Sequence, residues 1–276
     1  MFASARELFK QAEENKVAIG AFNTNNLEVT QAIIAGAEKL QLPVIIQTTP
    51  SAIQYAGLDE IFALVKELIN DTKIPAAIHL DHATEINLVK ECLEKGYRSV
   101  MFDGSKLPFE ENVAVTKRVV DLAHRYDAFV EGEIGRIAKG EEGVDEGESN
   151  FTNPEEATKF AVLTGVNSLA ISIGNIHGAP SGEKLNLNLL KEINEKVDIP
   201  LVLHGASGLG RGDLRQAIEF GVRKINIDTQ IRRAFKVGLQ ENIDDPNKDI
   251  RDYLSDAKED VEQVVERYLK IFNNIE

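Results

Sequence analysis

The stretch IHLDHA, residues 78–83, sets His79, Asp81 and His82 within four positions of one another, in a chain with only 5 histidines. Two imidazoles and a carboxylate at that spacing suit binding of a divalent ion or transfer of a proton. Two more histidines occur as His-Gly, His177 in IGNIHG and His204 in LVLHGASG. Neutral imidazole is a good Zn²⁺ ligand, and three protein ligands leave a position open for substrate. His82, His177 and His204 are therefore the candidate metal triad, although any one alone reads better as a core histidine bonded to backbone. The adjacent glycines would let a ligand approach the main chain closely. His79 shares a strand face with Asp81, one pleat deeper, and reads as a supporting or core residue. Asp81 reads as a proton carrier beside the metal or as a helix N-cap, and Thr84 is the better cap for the helix ATEINLVKE.

Convergence of these groups requires elements that end at one place. Eight short apolar runs recur along the chain, at 17–23, 43–49, 75–80, 99–105, 128–134, 168–174, 200–205 and 224–229, with helical patterns between them. In LEVTQAIIAGAEKL, for example, Val29, Ile33, Gly36, Ala37 and Leu40 fall on one face. The runs are continuously apolar, as strands buried on both faces are. The alternation predicts an α/β fold, a (β/α)₈ TIM barrel with extra C-terminal helices, and a single domain over 1–276. A doubly wound sheet is the competitor, but the first run ends AFNTNN with no glycine-rich loop. Two segments fall outside the repeat: a glycine- and acid-rich connection at 135–154, and a tail with a helix, a break at DDPNKD and a long final helix.

In such a barrel the chemistry collects at the C-terminal strand ends. Four of the 5 histidines fall there, with Asp103, Glu131, Glu133, Asn226 and Asp228, while His124 lies in a helix. The turns GASG (205–208) and NIDT (226–229) read as a phosphate cradle of backbone N–H groups, or as ordinary tight turns. The long connection carries Glu141 and Glu142, a solvated charge run or a lid bearing a base. No strand ends in a lysine for Schiff-base chemistry, and Lys224 opens the last strand at the opposite end.

The composition narrows the partners. Of 276 residues 43% are hydrophobic and 28% charged, which is globular. The net charge of -14 argues against nucleic acid or an anionic membrane surface as partner. The single cysteine, Cys92, fits a reducing compartment. With no apolar leader and no run near the ~18 residues of a membrane span, the chain reads as soluble and cytoplasmic.

Taken together, AFN, LDHA, VMFDGS, EGEIG, IGNIHG, LVLHGASG, KINIDT and RDYL resemble the class II, zinc-dependent ketose-bisphosphate aldolases over nearly the whole length. The resemblance implies a barrel that reversibly cleaves a ketose 1,6-bisphosphate to dihydroxyacetone phosphate and glyceraldehyde 3-phosphate, fructose 1,6-bisphosphate first, with tagatose 1,6-bisphosphate and a deoxy-keto-gluconate phosphate as rivals. It implies His82, His177 and His204 as catalytic Zn²⁺ ligands, and Asp103 and Glu133 at a second or alternative divalent ion. It implies Asp81 as the acid/base at the C4 oxygen and Glu141 as the lid base. Asn23, Thr49, Gly178, Gly205, Ala206, Ser207, Asn226, Ile227, Asp228 and Thr229 match substrate-binding positions. Arg251 matches an arginine that reaches a neighbouring subunit's distal phosphate, implying a homodimer or homotetramer. A monovalent cation accompanies many members. The chain departs from the family pattern at RIAKGEEG, where two consecutive glycines are usual, and at Ala179-Pro180, where a bulkier pair is expected. A zinc-hydroxide hydrolase is disfavoured because the first run lacks His-x-His. A non-catalytic subunit is disfavoured because no expected ligand is lost.

Overall fold

A strand covered by helices on one side and by its own barrel on the other has no wet face, and the apolar runs are buried along their whole lengths. The computed structural model of the chain describes residues 2–138, 140, 141, 144, 145, 150–178, 184–243 and 247–276. Eight of its strands are β1 (Ile19–Asn23), β2 (Val44–Thr48), β3 (Ala76–Ala83), β4 (Ser99–Phe102), β5 (Phe129–Ile134), β8 (Ser168–Ile171), β9 (Leu201–Leu203) and β10 (Val222–Ile227). They pair in parallel and close in the order β1-β10-β9-β8-β5-β4-β3-β2. This is the expected TIM barrel. The long connection contains a small antiparallel hairpin, β6 (Gly140–Glu141) with β7 (Val144–Asp145), where no element was expected.

The barrel is wrapped by α2 (Leu27–Leu40), α3 (Pro50–Ala56), α4 (Leu58–Asp71), α5 (Ile86–Lys95), α6 (Phe109–Ala123), α7 (Pro154–Thr164), α8 (Leu187–Lys196) and α9 (Arg211–Glu219). The expected C-terminal additions are α10 (Thr229–Asn242) and α11 (Ile250–Phe272). Among the described residues no helix is long and apolar enough to cross a membrane.

The first helix, α1 (Ala5–Asn15), has another task. Ser4 and Glu7 form a capping box that starts it. Its apolar side, Ala5, Leu8, Phe9 and Ala12, joins the inward-facing Ile19, Ile45, Ala77, Met101, Phe129 and Val202 in a separate apolar cluster. Phe9 stacks on Phe129 with ring centroids 4.8 Å apart. The helix thus closes the N-terminal end of the barrel and leaves the C-terminal end for the site.

Two local expectations need correction. Thr84 does not cap α5: the helix begins at Ile86, and its N-cap residue Glu85 makes no side-chain bond to it. Nor does Lys224 open the last strand, although it pairs with Ile19 at the start of β1. That strand begins at Val222, and Lys224 lies fully buried inside the barrel, because the apolar run extends back through an arginine that hydrophobicity alone excluded.

Candidate active site

His79 and Asp81 follow strand alternation into the barrel, and by the same rule His82 should point away from it. It does not, because its backbone is left-handed, with φ of 52°. The pairing of β3 with β4 shifts between Leu80 and Ala83 at this point. Such an irregularity re-aims a side chain, at a strain cost that surrounding structure must hold. Asp81 and His82, consecutive in sequence, are thereby both delivered to the mouth. They line a cleft of about 940 Å³ together with Asp103, Glu133, His177, Ser207 and Asn226.

The expected triad is brought together. Ring centroids lie 4.6 Å apart for His82 and His204, 5.2 Å for His82 and His177, and 6.2 Å for His177 and His204. Two sets of ligand atoms each lie within 4.8 Å of one another: His82, His177 and His204, and His82, Asp103 and Glu133. The outer nitrogens of two histidines are engaged by carboxylates. His82 Nδ1 donates to Asp103 Oδ2 at 3.0 Å, and His204 Nε2 donates to Glu131 Oε1 at 2.8 Å. Each donor nitrogen carries the ring proton, so the other nitrogen is left to accept. Those two, His82 Nε2 and His204 Nδ1, face each other at 2.9 Å. Two lone pairs aimed at one place call for a cation between them, and borderline-soft nitrogen donors fit zinc. Glu133 Oε2 is buried with no hydrogen-bond partner among the described residues, which suits a second cation.

Charge in the site follows from this crowding. Burial would lower the basicity of His82, but Asp81, Asp103 and Glu133 override it and raise its pKa to about 10. A proton then occupies the line to His204. Burial, with repulsion from His82 and His204, takes His177 down to about 3. Burial also holds His204 well below the usual imidazole range. Burial pushes Glu133 well up, reinforced by Asp103. Burial would raise Asp81 too, but His82, His204 and Lys224 more than offset it, and the group stays below the ordinary carboxylate range.

Asp81 is held at both oxygens. Asn23 Nδ2 donates to Oδ2 at 2.8 Å and Asn226 Nδ2 to Oδ1 at 3.2 Å. Asn23 is fixed in turn by Gln47 Nε2 at 3.0 Å. Thr49 lines the cleft and also caps α3, accepting from Ala52 N–H.

Gly178, Gly205, Ser207, Asn226, Asp228 and Thr229 all reach the cleft. Ala206 and Ile227, expected with them, do not line the cleft, and their side chains belong to the core. Gly205 has φ of 62°, and a Cβ there would meet the carbonyl oxygen of Ile176 at 2.6 Å, so the loops carrying His177 and His204 pack backbone to backbone. Asn175 binds them further, donating to the carbonyls of Ile171 and His204 and accepting from Ile173 N–H. At the start of α10, Asp228 gives no side-chain cap, and its carboxylate accepts from Arg232 Nε at 3.0 Å instead. A helix N-terminus without a side-chain cap can take an anion.

Other expectations fall outside this cleft. Arg251 is 85% exposed at its side chain, pairs with Asp249, and does not line it. Glu141 is placed by its backbone in β6, with its side chain outside the described residues, as are Glu142, Ala179 and Pro180. The root of that loop is tied to the triad, since His177 N–H donates to the Ala138 carbonyl at 2.9 Å. Lys106, Arg136 and Arg232 line the cleft without having been anticipated. Each follows a strand end, which was the available signal.

The family model for class II fructose-bisphosphate aldolase matches residues 3–276. The D-tagatose-1,6-bisphosphate aldolase subunit GatY of Klebsiella oxytoca is 41% identical over 274 residues, covering 97% of this chain and 96% of that protein. The YdjI aldolase of Escherichia coli K12 superposes with a TM-score of 0.88 at 30% identity, over 99% of this chain and 97% of that one. The fructose-bisphosphate aldolase of Campylobacter jejuni shares the fold, with a TM-score of 0.85 at 24% identity over 99% and 96% of the two chains. With a family model spanning the barrel from end to end, this chain belongs to the class II fructose-bisphosphate aldolase family.

Proposed function

We propose that this chain is a zinc-dependent ketose-1,6-bisphosphate aldolase acting as one domain over residues 1–276 in the cytoplasm, with no nucleic-acid or membrane partner. The observation that carries the reading is the facing pair of imidazole nitrogens, each fixed from behind by a carboxylate, beside a doubly held aspartate. His82, His177 and His204 would hold the Zn²⁺, and Asp103 and Glu133 a second divalent ion. The zinc, when bound, supplies Lewis-acid stabilisation of the negative charge that aldol cleavage leaves on the ketone side.

The remaining work falls to the chain. Asp81 takes the proton of the C4 hydroxyl, with the amides of Asn23 and Asn226 holding the carboxylate in place. Gly178, Gly205 to Ser207 and Asn226 to Thr229 hold the phosphate on the ketone side, their backbone N–H groups adding to the N-terminus of α10. This region is also where a monovalent cation would sit. Glu141 returns the proton to C3 from the lid. Thr49 contacts the substrate from the end of β2. Arg251, exposed and outside its own cleft, serves the distal phosphate of a neighbouring subunit, in a homodimer or homotetramer; the Klebsiella relative is itself named a subunit.

Fructose 1,6-bisphosphate is our first substrate reading, from NIDT at the end of β10. Tagatose 1,6-bisphosphate, its C4 epimer, is the second, favoured by the 41% identical relative. Both sugars are offered to the purified enzyme side by side, with triose phosphate release coupled to NADH oxidation, before and after EDTA and after Zn²⁺ is restored. Faster cleavage of one epimer, abolished by EDTA and recovered with zinc, supports the reading and assigns the substrate. Cleavage that survives EDTA overturns it.

A further inference from the structure

Below the mouth lies a buried ion pair that the proposed chemistry does not use. Lys224 of β10 and Glu131 of β5 are both 0% exposed, and Lys224 Nζ donates to Glu131 Oε2 at 2.9 Å. An ion pair in a dry interior gains little over apolar side chains of the same volume, and losing one partner strands a buried charge. The layer beneath it is apolar, with Ile45, Phe129 and Val202 meeting α1, so the barrel has no general need of charge at its centre. The pair divides the two oxygens of Glu131. Oε2 takes Lys224, and Oε1 takes His204 Nε2–H at 2.8 Å. The neighbouring His79 does not bond Glu131: its Nδ1 is engaged by Ser99 Oγ at 2.7 Å, and its buried Nε2 has no hydrogen-bond partner among the described residues.

We propose that Lys224 and Glu131 are positioning residues: their ion pair fixes the carboxylate so that His204 keeps its proton on Nε2 and turns Nδ1 toward His82 and His177. The inference rests on the metal reading above. A carboxylate can only accept from Nε2, so the tautomer is dictated. An amide at the same place could instead donate to Nε2 and drive the proton to Nδ1, the nitrogen needed for the metal. Lys224 is thus neither a Schiff-base lysine nor mere filling. It holds Glu131, which holds His204.

The test uses the full-length protein stripped of metal, as wild type, Lys224→Met, and the charge-neutral double variant Lys224→Met/Glu131→Gln, which preserves volume and strands no charge. Three quantities are measured: the thermal midpoint of the metal-free protein, the Zn²⁺ Kd by chelator competition near neutral pH, and the ¹⁵N shifts of the His204 ring without metal. The wild type should show His204 protonated on Nε2. The double variant should melt close to wild type, yet bind Zn²⁺ about 10–100-fold more weakly, with a mixed His204 tautomer. A double variant with the wild-type Kd and tautomer would reduce the pair to packing and overturn the proposal. If neither variant folds, the wild-type spectrum decides, because His204 protonated on Nδ1 contradicts it outright. Wild-type protein that binds no zinc would sink the metal reading, whereas zinc binding that ignores the double substitution sinks only this inference.

Discussion

Asn23 and Asp81 stand on different strands, 58 positions apart, yet the amide of Asn23 donates to the buried carboxylate of Asp81 at 2.8 Å. Asn226 holds the other carboxylate oxygen. A proton acceptor fixed at both oxygens reaches the substrate without first being oriented. Asp81→Ala should therefore lower kcat by about 10²–10⁴-fold, the usual contribution of a general base. Zinc content should be unchanged, since Asp81 is not in either ligand set. Steady-state assay beside metal analysis separates the two, and loss of zinc with the activity would reassign Asp81 to the metal.

His177→Ala should behave in the opposite way. It removes one imidazole of the triad but leaves the backbone N–H that donates to Ala138. Zinc content after dialysis should fall and the circular dichroism should not. Full zinc occupancy in the variant would place the metal in the other set, around Asp103 and Glu133.

Gly205→Ala tests the packing of the two histidine loops. The new methyl would stand 2.6 Å from the Ile176 carbonyl oxygen, on a residue whose φ is 62°. Strain of about 1–3 kcal/mol is expected from the backbone conformation alone, read as a lower thermal midpoint, together with a raised KM. A variant with wild-type stability and KM would show that the loops have room to separate.

Metal-free protein should lose stability as pH rises from about 6.5 towards 10. The folded pKa of His82 is raised, from 6.5 to about 10. A raised group contributes stability that is complete below its unfolded pKa and lost as pH climbs through the folded one. Glu133, raised by burial and by Asp103, acts in the same sense above its ordinary value of 4.5. His177, lowered to about 3, acts oppositely on the acid side, where the unfolded chain takes up a proton that the folded one refuses. Melting curves of the stripped protein from pH 5 to pH 10 should peak near neutrality. Zinc should bind more tightly at higher pH, because it displaces the proton on His82. A flat profile would contradict the charge distribution described for the site.

Phe9→Ala should destabilise the barrel from its closed end. The ring is buried and stacked on Phe129, and such truncations cost about 3–5 kcal/mol. Activity per folded molecule should hold, because the site lies at the other end. A fall in kcat without a fall in melting temperature would mean that α1 communicates with the mouth.

The barrel could be read from the chain because parallel strands covered on both faces leave continuous apolar runs, and eight of these recur between helical patterns. The triad could be read because His82, His177 and His204 all stand at or just past the ends of such runs. What was not legible depends on geometry that alternation cannot encode. Period two turns His82 away from the site, and only its left-handed backbone and the slipped register beside it turn the ring back. Lys224 looked misplaced because a lysine in an apolar run marks an edge unless a partner waits inside, and Glu131 is 93 positions away. Thr84 looked like a cap because its type is right, but β3 continues through Ala83 and the helix starts two residues after Thr84. The hairpin of β6 and β7 is too short for periodicity to register.

With side chains filling its interior and α1 packed beneath them, the barrel opens at the mouth alone. Whatever enters must leave by the same opening. If one sugar is cut into two pieces inside it, the piece nearer the rim stands in the path of the piece below. Turnover in such a vessel is a queue, and the order of departure is set by the architecture before any affinity is considered.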